Sequence, residues 1–443
     1  MTADVVVVGG GFAGLAIATR LTHAGADVVV CEAGPRVGGK VAGGVVGGCT
    51  LDVGADAWLD RDSCVRDLVS ISGLDDQVIG MATAGVWLWT ARGLHRMPPT
   101  AVMGIPRRPS ALTNLLGLRG ALRAAAERWI PTRPIDHDVS VGEFLSRRFG
   151  TAVASELVDP LLGGVYAGHV DQLSLHATIP ALVELASGSS ITRAVRNRPS
   201  VAPAFLTLRR GLHRLPAALA AQLGERVRID TPVVAIERQG DSWAVNADGG
   251  LFEASRVVLA CPAPAVASLV RPYDDDAAAT AASVAHASVA VVALAYPAEL
   301  AWPIPEGTGM LVSRSADRFI KAATWVSNKW GRPLGVEPLL VRASVGRIDD
   351  DRHRHLTDEE VIALATADLA EAVGLGDPTD AIVVRWDDAL PQYRVGHLTD
   401  VARLRTSLAA SMPGVHLLGA AWDGVGLGPL ATAAAGLADA LLG

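Results

Sequence analysis

The sequence predicts an α/β protein in which one discontinuous domain carries a helical insertion and a second, mixed sheet. Three observations predict this fold class. A strand, a glycine turn, a helix and a second strand follow one another in residues 4–32, and short alternating strands occupy residues 226–261. Residues 415–443 read as a strand, a glycine turn and an alanine-rich helix. Because these elements suit one layered sheet, the chain between them must form the insertions.

The composition of the 443-residue chain excludes several classes of protein. Half of the residues are apolar and 19% are charged, which predicts a large buried core in two or three domains. The net charge of −7 disfavours nucleic-acid binding, because no basic excess is available to neutralise phosphates. Cys31, Cys49, Cys64 and Cys261 form no CxxC pair and have no nearby histidine at ligand spacing. We therefore expect no metal site.

The sequence carries no evident targeting or membrane segment. Asp4 and the early glycines interrupt the N-terminal apolar run, and the longest apolar stretches, 286–296 and 424–438, are too short or too polar to cross a bilayer. We expect a cytoplasmic protein without a transmembrane segment. Contact between a helical surface and a membrane stays open.

The N-terminal motif predicts a dinucleotide site. The apolar run Val5–Val8 is typical of a buried strand, and the GGGFAG run at 9–14 fits G-x-G-x-x-G at the start of a helix. Gly9 would permit the tight turn, Gly11 would let the backbone approach a pyrophosphate, and Gly14 would let helix and strand pack closely. Glu32 ends the second strand, where a carboxylate accepts both hydroxyls of an adenosine ribose. An acid there disfavours a 2′-phosphate and therefore NADP.

The next segments favour FAD over NAD. Residues 33–40 read AGPRVGGK and residues 51–58 read LDVGADAW. With Glu32, the first resembles the E-x-x-x-R-x-G-G extension of the flavin-dependent amine oxidase superfamily, and the second resembles its D-x-G segment beneath the flavin ring. This resemblance implies a Rossmann-like FAD-binding domain. The residues it assigns to FAD are Gly9, Gly10, Gly11, Phe12, Ala13, Gly14, Glu32, Ala33, Arg36, Gly39, Lys40, Gly54, Ala55, Asp56, Ala57, Val233, Trp386, Ala420, Val425, Gly426 and Leu427.

The chain divides into three predicted parts. The FAD-binding domain comprises residues 1–80, 226–270 and 385–443. A substrate-binding sheet domain comprises 81–99 and 271–384, where alternating segments such as SVAVVALAY predict strands over the flavin. Residues 100–225, rich in leucine, alanine and arginine and punctuated by proline, predict a helical subdomain.

One glycine-rich segment is more specific than the dinucleotide motif. Residues 159–180 read DPLLGGVYAGHVDQLSLHATIP, and the glycines at 163, 164 and 168 predict a break between helices. The segment resembles P-L-x-x-G-V-Y-A-G-x-x-x-x-L-S of the porphyrinogen oxidase family. Further similar segments are LHRMPP (94–99), GEFLSRRFG (142–150), KAATWVSNKW (321–330) and LPQYRVGH (390–397). The turn at 424–430, GVGLGPL, departs from the family pattern.

The resemblance implies a flavin-centred reaction without a catalytic triad. FAD would remove three hydride-and-proton pairs from a porphyrinogen, and O2 would reoxidise the flavin with release of H2O2. Coproporphyrinogen III is the preferred substrate, in porphyrin and haem biosynthesis, and a ferrochelatase is the expected recipient of the product. The alternatives are protoporphyrinogen IX oxidation, another flavin amine oxidase activity, and a flavin-binding homologue without turnover.

The substrate side of the site is expected from the same resemblance. The predicted pocket residues are Trp87, Met97, Tyr166, Gly168, Lys321 and Trp325. Candidates for binding propionates are Arg92, Arg96, Arg209 and Arg210, each of which could equally be a surface arginine. His95, His169 and His176 could accept protons near neutral pH, although solvated or packed histidines would look the same in the sequence.

Overall fold

A computed structural model describes residues 1–98, 100–102, 104–131, 135–187, 190–196, 205–298, 304–331 and 338–443. Pro99 of the LHRMPP segment lies outside these ranges. The strands are β1 (Thr2–Val8), β2 (Val28–Cys31), β3 (Gly43–Val46), β4 (Cys49–Asp52), β5 (Trp58–Leu59), β6 (Val78–Gly80), β7 (Trp87–Thr90), β8 (Gly93–Arg96), β9 (Thr100–Val102), β10 (Ile105–Pro106), β11 (Phe205–Leu208), β12 (Val227–Arg228), β13 (Val233–Gln239), β14 (Ser242–Ala247), β15 (Gly250–Leu259), β16 (His286–Tyr296), β17 (Gly309–Val312), β18 (Ile320–Trp325), β19 (Leu339–Val345), β20 (Asp380–Pro391) and β21 (Val415–Leu417).

The helices lie mostly between these strands. They are α1 (Phe12–His23), α2 (Ser63–Ile71), α3 (Thr113–Ala125), α4 (Val141–Phe149), α5 (Thr151–Val153), α6 (Asp159–Tyr166), α7 (Leu175–Thr178), α8 (Pro180–Ala186), α9 (Ile191–Arg196), α10 (Arg214–Leu223), α11 (Ala263–Val270), α12 (Asp275–Ala282), α13 (Val326–Trp330), α14 (Asp358–Val373), α15 (His397–Ser411) and α16 (Leu427–Leu442). Among the described residues, none of these helices is long and apolar enough to cross a membrane.

The first sheet joins the two ends and the middle of the chain. Its order is β12-β2-β1-β15-β14-β13, and β21 pairs with the second half of β15. The apolar run of β1 is buried on both faces and pairs in parallel with β2 and β15, as such runs do in parallel sheets. Helices α1, α10 and α16 cover one face, and α11, α12 and α15 cover the other. The predicted α/β class with a discontinuous Rossmann-like domain is confirmed.

The second sheet has the order β20-β16-β19-β18-β17-β7-β8. Its pairs are antiparallel except β7 with β17. One face packs against α14 in an apolar core that contains Trp325 and Tyr296. The hairpin β3–β4 packs on part of the other face. That second face therefore looks back towards the first sheet.

Two elements sit differently from the predicted domain ranges. Strand β20, which contains Trp386, pairs with β16 in the second sheet along most of its length. Helix α10 packs with Leu215 and Leu219 in the core beneath α1, beside the first sheet. The exact limits of the three domains stay a prediction.

The glycine-rich segment does not break the helix where the sequence predicts. Helix α6 runs through Gly163 and Gly164 to Tyr166, and it ends at Ala167 with φ +52°. The predicted break at 163–164 is wrong, because a helical glycine costs only about 1 kcal/mol and the packing of α6 offsets it. The left-handed residue is an alanine rather than a glycine. Ala167 is fully buried, and its carbonyl accepts the Ile348 N–H at 2.8 Å, so tertiary contacts hold this conformation.

Candidate functional site

A cavity of about 520 Å³ lies between the carboxyl ends of the first sheet and the inner face of the second. Such a crevice is where open α/β sheets bind nucleotides. The predicted FAD residues that line it are Gly9, Gly11, Phe12, Ala13, Glu32, Gly39, Lys40, Gly54, Ala55, Trp386, Ala420, Val425, Gly426 and Leu427. Lys321, Gly164 and Val165 line it as well. The cavity thus joins the dinucleotide motif to the glycine-rich segment of α6.

The glycine turn leaves no room for side chains on its inner side. A Cβ on Gly9 would lie 2.8 Å from the Ala260 carbonyl oxygen, and a Cβ on Gly14 would lie 2.0 Å from the Gly9 carbonyl oxygen. A Cβ on Gly11 would meet no atom within 4 Å, because Gly11 faces the cavity. Gly9 and Gly14 therefore shape the turn, whereas Gly11 opens it to a ligand.

Glu32 is fixed at the rim of the cavity. Its two carboxylate oxygens accept the Gly10 N–H at 2.7 Å and the Gly34 N–H at 2.9 Å. Each oxygen keeps lone pairs for further donors. The carboxylate is thereby oriented before a ribose arrives, and Gly10 acts on the site through Glu32.

Three helix N-termini meet at the cavity. Helices α1, α11 and α16 begin at Phe12, Ala263 and Leu427, and all three residues line it. The first N–H groups of a helix and the positive end of its dipole attract anions. This arrangement suits a diphosphate and an electron-rich ring.

Trp386 lines the cavity, and Arg36 of the 33–40 loop lies over its ring. The Arg36 guanidinium donates to the Gly39 carbonyl at 2.9 Å and lies 5.6 Å from the Trp386 ring centroid. The Trp386 indole N–H donates to the Val53 carbonyl at 2.9 Å. These contacts tie the 33–40 loop, the 51–58 segment and β20 together.

A charged cluster connects the 51–58 segment to the second sheet. Asp56 accepts from Lys329 Nζ at 2.8 Å and lies 3.2 Å from Arg342 Nη2. Burial opposes ionisation of Asp56, but the charges of Arg342 and Lys329 outweigh it and lower its pKa to about 2. Arg342 also donates to the carbonyls of Asp52 and Gly54 at 2.8 and 3.0 Å. Arg342 lines the cavity and is held there as a permanent cation.

Two further titratable groups line the cavity but are held neutral at neutral pH. Burial raises the pKa of Cys261 to about 12, so its thiol stays protonated. Burial also lowers the pKa of His286, and its Nδ1 lies 2.8 Å from the Val284 carbonyl. A neutral ring would therefore donate through Nδ1 and keep a lone pair on Nε2.

Several residues predicted for FAD lie outside the lining. Gly14 packs under the turn, and Val233 begins β13. Ala33 directly follows the lining residue Glu32, and Ala57 lies two positions beyond the lining residue Ala55. Each of the other three contacts a part of the site rather than the cavity itself. Gly10 holds Glu32, Arg36 holds the 33–40 loop, and Asp56 holds Arg342. Their contacts with a cofactor stay predictions.

Of the predicted pocket residues, Lys321 lines the cavity. Trp325 is fully buried in the core on the far face of the second sheet. Trp87 donates its indole N–H to the Glu306 carbonyl at 2.8 Å. Met97 packs against the apolar core that α3, α4 and α6 share. Tyr166 is 7% exposed and packs against Tyr393, with ring centroids 5.6 Å apart.

The predicted arginines and histidines also lie apart from the described cavity lining. Arg92, Arg96, Arg209 and Arg210 are exposed. His169 lies 3.6 Å from Asp171, and His176 lies 3.1 Å from Asp138. The Nε2 of His95 is buried without a hydrogen-bond partner among the described residues. The lysine and arginine residues that line the cavity within the described part of the chain are Lys40, Lys321 and Arg342.

Gly168 is required by packing inside the protein. A Cβ there would lie 2.6 Å from Gln392 Oε1 and 2.9 Å from Leu173 Cδ1. The Gln392 amide donates to the Tyr166 carbonyl at 2.6 Å. An added side chain would therefore strike Gln392 and Leu173, so packing within the protein is sufficient to require glycine at this position.

Gly168→Ala is accordingly expected to destabilise the fold by about 1–3 kcal/mol, the usual cost of overpacking. The measurement is the urea midpoint of the purified protein. Gly163→Ala is the matched control, because a Cβ there meets nothing within 4 Å inside α6. It should be neutral or stabilising. Equal midpoints for the two variants would contradict this explanation.

Comparison with known proteins identifies the class to which this fold and site belong. Residues 12–429 match the family described as flavin containing amine oxidoreductase. The chain belongs to this family, and its cofactor is FAD. Cyclohexylamine oxidase from Brevibacterium oxydans IH-35A, 18% identical, superposes with a TM-score of 0.72 over the full length of both chains, and this likeness shows the shared fold.

More similar relatives carry the names of porphyrinogen oxidases. The chain is 34% identical to the coproporphyrinogen III oxidase of Bacillus subtilis (strain 168), with 96% of this chain and 94% of the relative covered. It is 35% identical to the coproporphyrinogen III oxidase of Mycobacterium tuberculosis (strain H37Rv), with 98% and 95% covered. A solved structure from Exiguobacterium sp. 255-15, a candidate protoporphyrinogen oxidase, is 33% identical, has a TM-score of 0.89 and covers 99% and 98%.

The residues present fit FAD. The open space at Gly11, the oriented Glu32 carboxylate and the three helix N-termini supply what a diphosphate and a ribose need. The predicted membership of a flavin-dependent oxidase family is confirmed.

Proposed function

We propose that this protein oxidises coproporphyrinogen III to coproporphyrin III with O2 as electron acceptor and H2O2 as by-product. One observation carries the proposal. A single cavity is lined at one end by the dinucleotide turn and at the other by Gly164 and Val165 of the porphyrinogen-oxidase-like segment. The similarity to relatives named coproporphyrinogen III oxidase over nearly their full length supports the same substrate class.

The chain's own residues have three tasks in this reaction. FAD, when bound, supplies the hydride acceptor. Glu32 and the helix N-termini would hold its ribose and phosphates. Val289, Val291 and Ala322 of the second sheet form an apolar wall, which would orient the flat macrocycle and exclude water.

Charge at the cavity favours the substrate with more carboxylates. Coproporphyrinogen carries four propionates and protoporphyrinogen two. Arg342 and Lys329 share the one carboxylate of Asp56, so this cluster keeps an excess positive charge. Arg342 is the proposed partner of a propionate.

The proposed place of the reaction is the cytoplasm, with the product passed to a ferrochelatase. Both statements rest on the proposed substrate. Peripheral contact with a membrane stays a prediction.

The test uses the two porphyrinogens, each prepared anaerobically and then mixed with the purified holoenzyme in air-saturated buffer. Porphyrin fluorescence and H2O2 are followed together, with enzyme-free mixtures as the control for spontaneous oxidation. We expect a higher kcat/KM for coproporphyrinogen III and three H2O2 per porphyrin formed. A higher kcat/KM for protoporphyrinogen IX would favour the alternative substrate. Rates no faster than the enzyme-free control with both porphyrinogens would reject porphyrinogen oxidation.

A further inference from the structure

Lys321 is a buried lysine of the cavity lining to which no described residue supplies a counter-ion. Lys321 is 3% exposed and lines the cavity. The structure gives its amine no hydrogen bond or ion pair with any described residue. A buried ammonium normally has a carboxylate partner, because an unpaired buried charge is costly. The amine is therefore available to a ligand.

A strand irregularity places Lys321 on the cavity side. Ile320, Ala323 and Trp325 of β18 pack in the core on the far face of the sheet, whereas Ala322 and Thr324 line the cavity. The pairing of β18 with β19 shifts between Ile320 and Ala322, which turns Lys321 out of strict alternation. Bulges of this kind re-aim side chains at functional sites.

The strand register locates Lys321 against the wall of the proposed substrate site. Val291 pairs with Ser344, and Ser344 pairs with Ala322. All three line the cavity and form one row across β16, β19 and β18. Lys321 directly precedes Ala322. Lys321 thus belongs to the wall that the second sheet contributes to the cavity.

From these contacts we infer that the Lys321 amine accepts the pyrrole N–H proton when the macrocycle is oxidised. The inference rests on the proposed function. In two of the three steps one bridging C–H bond would break and give its hydride to bound FAD, while a pyrrole N–H bond breaks and its proton goes to the lone pair of Lys321 Nζ. In the remaining step the hydride would come from the third bridging carbon and the proton from the fourth, because the porphyrin keeps two N–H groups and loses four bridging hydrogens. A new double bond forms in the macrocycle. The proton then returns to solvent before the next step.

The charges around Lys321 support a neutral amine. Burial, together with the Arg347 guanidinium, lowers the pKa of Lys321 to about 7. His353 also lies within electrostatic range of Lys321, and Arg342 lines the cavity from β19, the strand next to β18, with Lys40 as a further basic side chain of the lining. Helix α6 contributes the uncharged Gly164 and Val165 to the lining. A pKa near the working pH is what a general base requires.

The pH dependence follows from the sign of this shift. The neutral base is present above pH 7 and is lost as the pH falls through about 7. In the wild type, kcat with coproporphyrinogen III should therefore rise with pH and level off above about pH 8. Lys321→Met should abolish this rise of kcat with pH. It should also lower kcat by about 100-fold, the lower end of what general-base catalysis usually contributes.

Lys321→Arg separates proton transfer from carboxylate binding. Arginine stays protonated and can bind a propionate but cannot accept a proton. We expect Lys321→Arg to be as slow as Lys321→Met, with flavin absorbance retained in both. A Lys321→Arg enzyme with near wild-type kcat would overturn the inference and make Lys321 a propionate anchor. Loss of the rise of kcat with pH in His286→Gln instead would also overturn it.

A second readout does not depend on turnover. The chain has three lysines, Lys40, Lys321 and Lys329, so ¹³C-methylation of the amines gives few NMR signals to assign. One lysine signal should titrate near pH 7 and be missing from Lys321→Arg. Titration of every lysine signal near its ordinary pKa of about 10.4 would contradict the inference. Failure of the proposed function would show separately, because the wild type would then oxidise neither porphyrinogen.

Discussion

Gly14→Val is expected to yield protein without flavin. The Cβ would lie 2.0 Å from the Gly9 carbonyl oxygen and 3.2 Å from Val7 Cγ1, and the backbone oxygen cannot move without opening the turn. The turn would then lose the conformation that directs the N-terminus of α1 at the cofactor. The measurement is the flavin-to-protein absorbance ratio after purification, with thermal unfolding followed in parallel.

Two other glycines serve as controls for this experiment. Gly11→Val adds a side chain where the protein leaves free space, so it should keep the fold but block the phosphates. Gly436→Ala lies in α16, away from the turn, and its Cβ meets nothing within 4 Å. It should keep flavin and gain about 0.5–1 kcal/mol. Full flavin content in Gly14→Val would refute the role given to the turn.

Glu127→Ala is expected to lower the free energy of unfolding by about 3–5 kcal/mol, the cost of removing one partner of a buried ion pair. Glu127 is fully buried and pairs with Arg148. It also accepts from Ser190 Oγ at 2.6 Å and from the Ile191 N–H at 2.9 Å. Its loss would leave the Arg148 charge without a carboxylate and the first N–H of α9 without its acceptor. Urea unfolding of the variant measures the cost.

An exposed ion pair on α4, the helix that carries Arg148, provides the control. Glu143 lies 2.6 Å from Arg147, and their side chains are 45% and 72% exposed. Glu143→Ala should cost under about 1 kcal/mol. A similar loss of unfolding free energy in Glu127→Ala and Glu143→Ala would contradict the view that burial makes the Glu127 pair more important for stability.

The Glu127 effect should also depend on pH. Burial raises the pKa of Glu127, but its hydrogen bonds to Ser190, Ile191 and Thr192 outweigh burial and lower it. A depressed pKa stabilises the fold above the unfolded-state value of about 4.3, and this contribution is lost as the pH falls through the folded-state value. The stability gap between wild type and Glu127→Gln should therefore narrow in acid.

Local motifs explain which parts the sequence could predict. The strand, glycine turn and helix at residues 4–32 are contiguous, so their spacing alone specified β1, α1 and the position of Glu32. The row of strands at 226–261 and the terminal helix were predicted for the same reason. Each of these elements is determined by residues within one short window.

Long-range packing explains what the sequence could not predict. Arg342 lies in a strand without a motif, and its partner Asp56 is almost three hundred positions away, so nothing local marks it as a cavity cation. Gly163 and Gly164 look like helix breakers, yet tertiary contacts of α6 override their propensity. Gly168 lies in a glycine-rich segment, which in the sequence suggests an opening for a ligand. In the folded chain Gln392 and Leu173 fill the space beside it. The one signal for Arg342 in the sequence is a charged residue inside a segment whose alternating pattern predicts a strand.

The central claim is that a porphyrinogen reduces the flavin in this cavity. The most direct measurement mixes the oxidised holoenzyme with coproporphyrinogen III in a stopped-flow instrument without O2 and follows flavin absorbance. We expect the flavin to bleach as porphyrin fluorescence appears, and to recover its absorbance when O2 is admitted. A flavin that stays oxidised in the presence of excess coproporphyrinogen III and protoporphyrinogen IX would contradict the claim.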